Sequence, residues 1–219
     1  MRGRRFRDRA DGGRRLAERL AGRTMTDPIV LALPRGGVPV GFEVAAAIGA
    51  PLEVFVARKV GAPGHEELGI GAVAEGSDVV VVADTAHRLG IDDDTVRLLA
   101  TAARRELRRR VERYRDGPLP DLRGRTVVLV DDGLATGVTA DAALRALRER
   151  DPGELVLAVP VGAPATAHEL RRVADDVVLV EAPPRFRAVG AWYDDFEQTS
   201  DEEVLRLLRS ARSRQETGR

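Results

Sequence analysis

The residues best suited to chemistry lie in one run, Val127-Val128-Leu129-Val130-Asp131-Asp132-Gly133-Leu134-Ala135-Thr136-Gly137-Val138-Thr139. Four apolar residues read as a buried strand. Two carboxylates follow, then a loop of small residues that opens a helix. Backbone amides at such a helix start, joined by the hydroxyls of Thr136 and Thr139, form a cradle for a phosphate monoester. Asp131 and Asp132 stand one turn earlier, where carboxylates can accept hydrogen bonds from sugar hydroxyls. Phosphate at the helix and diol at the strand end together describe a ribose 5-phosphate site. An ordinary strand-turn-helix whose acids cap the helix is the plainer reading of Asp-Asp-Gly taken alone. A second chemical marker is the lysine. The chain has 34 arginines and a single lysine, Lys59, which follows Arg58 at the end of another apolar run.

The long run resembles the phosphoribosyl-pyrophosphate (PRPP) signature of type I phosphoribosyltransferases. Gly133 departs from it, since the family usually has an aliphatic residue there. Two further segments resemble the family in the expected order. Leu33-Pro34-Arg35-Gly36-Gly37 is similar to its pyrophosphate loop, where glycines let amides approach phosphate oxygens and Arg35 adds charge-assisted bonds. In the family this loop holds a non-proline cis peptide, which would fall at Pro34–Arg35. Arg58-Lys59 is similar to the Arg-Lys pair of orotate-type members, and residues 61–71 lie where the family keeps a mobile catalytic loop. Phe186 and Trp192, in a stretch faintly similar to the purine-stacking tail of hypoxanthine-type enzymes, are the candidate base-stacking residues. The chain as a whole resembles uncharacterised bacterial phosphoribosyltransferase-like proteins that share Phe-Arg-Asp-Arg, here Phe6 to Arg9.

The resemblance implies Mg2+-dependent displacement of pyrophosphate from C1 of PRPP by a nitrogen nucleophile. Lys59, Arg35, Asp131 and Asp132 would carry the chemistry. Arg35, Gly36, Gly37, Arg58 and Lys59 would hold the pyrophosphate. Asp131, Asp132, Gly133, Leu134, Ala135, Thr136, Gly137, Val138 and Thr139 would hold the ribose and its 5-phosphate. Mg2+ would be bound mainly through substrate oxygens, with Asp131 and Asp132 as the available protein ligands. The acceptor is left open. Ala135 stands where hypoxanthine-type enzymes carry an acid, and residues 155–164 contain no lysine to read a 6-oxo group. A regulator that kept the fold and the PRPP site without catalysis is the rival reading, and the missing base-recognition residues favour it.

These groups need a scaffold. Short apolar runs alternate with helical patterns, as in βαβ units on a parallel sheet. Strands are expected over 29–33, 52–58, 79–82, 127–130, 155–161 and 177–180. Helices are expected over 10–21, through Val40, Val44, Ala47 and Ile48 to Gly49, over 92–115, 139–150 and 164–173, and from a capping box at Ser200 and Glu203. The expected fold is α/β, a Rossmann-like parallel sheet flanked by helices. One domain would span 1–219, with its core at about 25–181 and a small hood from about 1–24 and 182–212. Residues 182–199 fit neither period and hold Phe186, Trp192, Tyr193 and Phe196, half of the chain's aromatics.

Composition narrows the alternatives. With 219 residues, 35 basic and 35 acidic, the formal net charge is zero, which argues against nucleic acid as a partner and against a polybasic membrane arm. Arginines between 104 and 115 surround much of their helix and read as a solvated face. The absence of cysteine excludes thiolate chemistry and suits a reducing, cytoplasmic interior. His65, His87 and His168 lack zinc-site spacing. No run approaches the roughly 18 apolar residues of a membrane span. The Arg-rich start, interrupted by Asp8 and Asp11, has no apolar segment after it and reads as mature protein. Gly69-Ile70-Gly71-Ala72-Val73-Ala74 matches G-x-G-x-x-A but lacks a following helix. The expected partners are PRPP and a nucleobase-like molecule. A homodimer is left open.

Overall fold

A computed structural model describes residues 5–217. Residues 1–4 of the expected hood lie outside them. The elements run α1 (Arg9–Leu20), β1 (Ile29–Ala32), α2 (Gly37–Ile48), β2 (Leu52–Val54), β3 (Ala57–Ala62), β4 (His65–Ala74), β5 (Val80–Val82), α3 (Asp84–Arg88), α4 (Asp93–Tyr114), β6 (Thr126–Val130), α5 (Val138–Arg148), β7 (Glu154–Val161), α6 (Pro164–Leu170), β8 (Asp176–Glu181), a 3-10 turn (Val189–Trp192) and α7 (Asp201–Thr217). Five strands form a parallel sheet in the order β2-β1-β6-β7-β8. The α/β expectation is met.

Both faces of this sheet are covered, which is why its central strands β1, β6 and β7 read as apolar runs rather than alternating ones. Ile29, Leu31, Val127, Leu129, Leu155 and Leu157 pack toward α5 and α6. Their neighbours Val30, Ala32, Val128, Val130, Val156 and Ala158 pack toward α1, α2 and α7. Through Val204, Leu207, Leu208 and Ala211, α7 joins that second face as a flanking helix. Local chemistry sets the helix ends. Asp92 accepts the Thr95 amide at 2.7 Å and caps α4, Ser200 accepts the Glu203 amide at 3.1 Å, and Gly49 closes α2 at φ 67°.

The expected strand over 52–58 is two strands in two sheets. Only β2 belongs to the parallel sheet; β3 turns away into an antiparallel sheet of order β3-β4-β5. The Gly-rich stretch after Lys59, expected to be a loop, is largely a hairpin that turns at Pro63-Gly64, with Gly64 at φ 74°. Its glycines misled the reading. Gly71 is small because a Cβ there would lie 2.6 Å from the Val81 carbonyl across the sheet, a demand of strand packing rather than of a coil. This arm has its own core, in which Val60, Ile70 and Val73 meet Val96, Ala100 and Leu107 of α4.

Arm and sheet are joined by a buried ion pair. Glu75 and Arg115 are both 7% exposed at their side chains. Glu75 also accepts the Val56 amide at 2.8 Å, and Arg115 donates to the Val54 carbonyl at 3.0 Å.

Candidate functional site

The site lies where β1 and β6 run side by side and the chain leaves them in opposite directions. From β1 it enters α2 on one face, and from β6 it enters α5 on the other. A crevice opens between such divergent connections at the carboxyl ends of the strands. Into it project the loop at Pro34-Arg35-Gly36 and the pair Asp131-Asp132. The Pro34–Arg35 peptide is cis, as the resemblance implied. Gly36 and Gly37 let the two loops touch. A Cβ on Gly36 would fall 2.0 Å from Asp132 Oδ2, and one on Gly37 would fall 2.7 Å from the Val130 carbonyl.

Asp131 accepts the Asp132 amide at 2.8 Å and, among the described residues, has no ion-pair partner. Burial and the neighbouring Asp132 charge hold its carboxyl well above the usual aspartate value of 3.8. Asp132 is also raised by burial, against the pull of Arg9, whose Nε donates to Oδ2 at 2.8 Å. A stability prediction arises here. Folded Asp131 keeps its proton more readily than the unfolded chain does. Its contribution to stability therefore declines as pH rises from about 3.8 through the raised folded value. Asp131→Asn is expected to melt higher than wild type at pH 8 and to show a flatter dependence between pH 4 and 8 in thermal melts. Equal pH slopes would remove Asp131 as the source.

The loop after the acids is divided in its roles. Leu134 was expected to help line the cradle, but it is buried, and its amide donates to the Val161 carbonyl at 2.8 Å. It anchors the loop to β7 and offers no donor to a ligand. Gly137, at φ 74°, is the N-cap of α5 and supplies no side-chain cap. The first amides of α5 therefore keep their intrahelical vacancy. Thr136 is exposed and Thr139 half-exposed at this end. The departure at Gly133 has a physical cause, since a Cβ there would fall 2.4 Å from Val189 Cγ1. Val189, from the irregular 182–199 stretch, takes up that space.

Between the arm and the sheet lies a cleft of about 600 Å3 lined by Pro34, Arg58, Lys59, Leu99, Arg110 and Thr139 among others. Lys59 is exposed on β3, and its charge bears on Asp131. Arg110 had been grouped with the solvated arginines of its helix, yet it is half-buried and enters this lining. Only the packing of α4 against β3 distinguishes it from its exposed neighbours Arg108 and Arg109. Arg35 lies 3.6 Å from Asp201 at the start of α7. A second cleft of about 550 Å3 runs along the far side of the loop, past Thr136, Gly137, Val138 and Thr166.

Phe186 and Trp192 pack, half-buried, against a small core of Phe6, Val161 and Tyr193. Phe196 stacks on Arg9, with its ring centre 4.0 Å from the guanidinium carbon. Tyr193 donates from its hydroxyl to the Asp132 carbonyl at 2.6 Å. Arg9 is a site residue that spacing could not find, because 123 positions separate it from Asp132.

The arrangement can bind a phosphate at α5, a polyanion beside Lys59, and hydroxyls at the acids. A family model described as a phosphoribosyl transferase domain matches residues 6–192. The uncharacterised phosphoribosyl-transferase-like protein Rv0571c of Mycobacterium tuberculosis H37Rv is 44% identical over 205 residues, which cover 93% of this chain and 46% of that protein. The chain thus spans about half the length of the curated relatives it matches. The crystal structure of TT1426 from Thermus thermophilus is 45% identical, covers 94% of this chain and 98% of its own, and superposes with a TM-score of 0.78. The AQ2163 protein of Aquifex aeolicus, 14% identical over 83% of this chain and 76% of its own, shares the fold at a TM-score of 0.51.

Proposed function

The chain belongs to the phosphoribosyltransferase family, and from that membership we propose that it moves the 5-phosphoribosyl group of PRPP, with Mg2+, onto a nitrogen nucleophile of nucleobase-like chemistry. The observation that carries the reading is the uncapped start of α5 directly after Asp131-Asp132, beside a cleft bearing Lys59, Arg58 and Arg110.

In this reading the 5-phosphate sits on the amides and hydroxyls of residues 135–139, which converts remote binding energy into alignment of C1. Asp131 and Asp132 accept hydrogen bonds from the ribose hydroxyls beside the oxocarbenium-like centre. The C1–O bond to pyrophosphate breaks with its electron pair leaving on the pyrophosphate, and the acceptor nitrogen bonds to C1. Lys59, Arg58 and Arg110 take up the charge that develops on the departing group. Arg35 would join them by releasing Asp201. Ala135 offers no general base, so the acceptor's proton goes to water or to the departing pyrophosphate.

The donor set fits magnesium. Among the described residues no group of three or more His, Asp or Glu could hold a metal ion, and Mg2+ commonly takes one or two carboxylates and fills its shell with substrate oxygens and water. Asp131 and Asp132 would be those carboxylates, and the ion would neutralise charge on the leaving group. Among the described residues no helix is long and apolar enough to cross a membrane. A chain without cysteine suits a cytoplasmic setting.

The test is direct. With Mg2+, PRPP at about 100 times its dissociation constant should stabilise the chain by about 2.7 kcal/mol in thermal melts. Pyrophosphate should then appear with one member of a panel of nucleobases and small amines. No stabilisation by PRPP would refute the site. PRPP binding without pyrophosphate release from any acceptor would turn the reading toward a PRPP-sensing regulator.

A further inference from the structure

The Phe-Arg-Asp-Arg segment near the start has no part in the reaction just described, yet the structure gives its residues definite work. Phe6 is fully buried, with its ring 5.3 Å from that of Tyr193, and its backbone pairs with Trp192 and Asp194 at 2.8 Å each. Asp8 caps α1 by accepting the Asp11 amide at 2.6 Å. Arg9, the first residue of that helix, is thereby delivered to the crevice. Its guanidinium is held on three sides, by Asp132 Oδ2 at 2.8 Å, by the Glu197 carbonyl at 2.6 Å and by the face of Phe196 at 4.0 Å.

Both partners of the ion pair are largely enclosed, with side chains 12% and 16% exposed. Gly36 presses on them with bare backbone, since a Cβ there would also come within 3.1 Å of Arg9 Nε. Tyr193 fixes the Asp132 backbone by donating to its carbonyl. The carboxylate thus has one oxygen committed and its plane set, which leaves Oδ1 with a defined direction.

Resting on the ribose 5-phosphate reading, we infer that Arg9 is a positioning residue that keeps Asp132 aimed as a hydrogen-bond acceptor for the sugar diol. Without the guanidinium, Asp132 loses the contact that holds Oδ2 and fixes the plane of the carboxylate, and a carboxylate free to rotate is a poorer acceptor for a diol. Among the described residues, Arg9 alone is in ion-pair contact with Asp132.

The test is calorimetric titration of the full chain with ribose 5-phosphate and, separately, inorganic phosphate. Arg9→Ala is expected to weaken ribose 5-phosphate about tenfold or more, the scale of a lost charge-assisted hydrogen bond, and to leave phosphate at the α5 cradle unchanged. Arg9→Lys should recover part of the loss, and Arg9→Ala should cost nothing further in an Asp132→Asn background. Unchanged phosphate affinity doubles as the check that a variant is folded. If Arg9→Ala proves unfolded, Arg9→Gln, which keeps a donor for Glu197, takes its place with the same expectation. An unchanged ratio of the two affinities in a folded variant would overturn the inference and leave the site reading standing. Failure of wild type to bind either ligand would overturn both.

Discussion

Lys59→Ala is expected to slow PRPP-dependent pyrophosphate release by roughly 10²–10³, the usual cost of losing a donor to developing transition-state charge. Lys59 extends from β3 into the cleft between arm and sheet and bears electrostatically on Asp131. Lys59 pairs across the hairpin with Ala72, and Gly69 lies beside its stem, where a Cβ would be in van der Waals contact with Cδ at 3.5 Å. Lys59 is exposed, so its stem is not locked by packing. A compact ammonium on such a stem can follow a leaving pyrophosphate better than a guanidinium fork can. Lys59→Arg should accordingly recover only part of the rate. The loss should fall mainly on kcat, since a group that acted equally on bound substrate would raise KM instead. Near-normal turnover of Lys59→Ala would take the residue out of the machinery and leave the cleft's charge to Arg58 and Arg110.

Arg115→Met is expected to cost about 3–5 kcal/mol, because it strips a buried carboxylate of its partner. Glu75 would keep the Val56 amide but lose both guanidinium contacts, and the Val54 carbonyl would lose its donor as well. For a domain of this size that corresponds to a drop of roughly 6–20 °C in Tm. The double variant Glu75→Gln with Arg115→Met should recover part of the loss, since it removes the stranded charge. The pair binds the end of β2 and the end of β4 to the end of α4, so its loss should loosen the arm that carries Lys59. Calorimetric melting of both variants tests this. A single variant that melts within a degree or two of wild type would show the pair to be dispensable.

Much of the fold could be read from local pattern. The three central strands, β1, β6 and β7, announced themselves as apolar runs because both sheet faces are covered there, while the edge strands β2 and β8 are only partly buried. Asp92, Ser200 and Gly49 marked real helix ends, since capping is settled within a few residues. The arm was misjudged for a related reason. Gly61, Gly64, Gly69 and Gly71 look alike in sequence. Yet only Gly64 sits in a turn at positive φ, while Gly71 is small because the Val81 carbonyl passes close by. What demands the glycine lies on another strand.

The site divides along the same line. By itself, the sequence determined the two acids, the small-residue loop that opens α5, the lone lysine and the order in which they come, because a strand-turn-helix is built from consecutive residues. It also determined the small residues at 36 and 37, though not what they touch. Tertiary structure alone decided which groups act together. It turned Leu134 inward onto β7, brought Arg110 out of a helix of solvated arginines into the cleft, drew Arg35 toward Asp201, and set Arg9 against Asp132 across more than half the chain. Charge–charge and packing contacts depend on distance through space. Spacing along the chain therefore carries no trace of them until the sheet and its helices have closed.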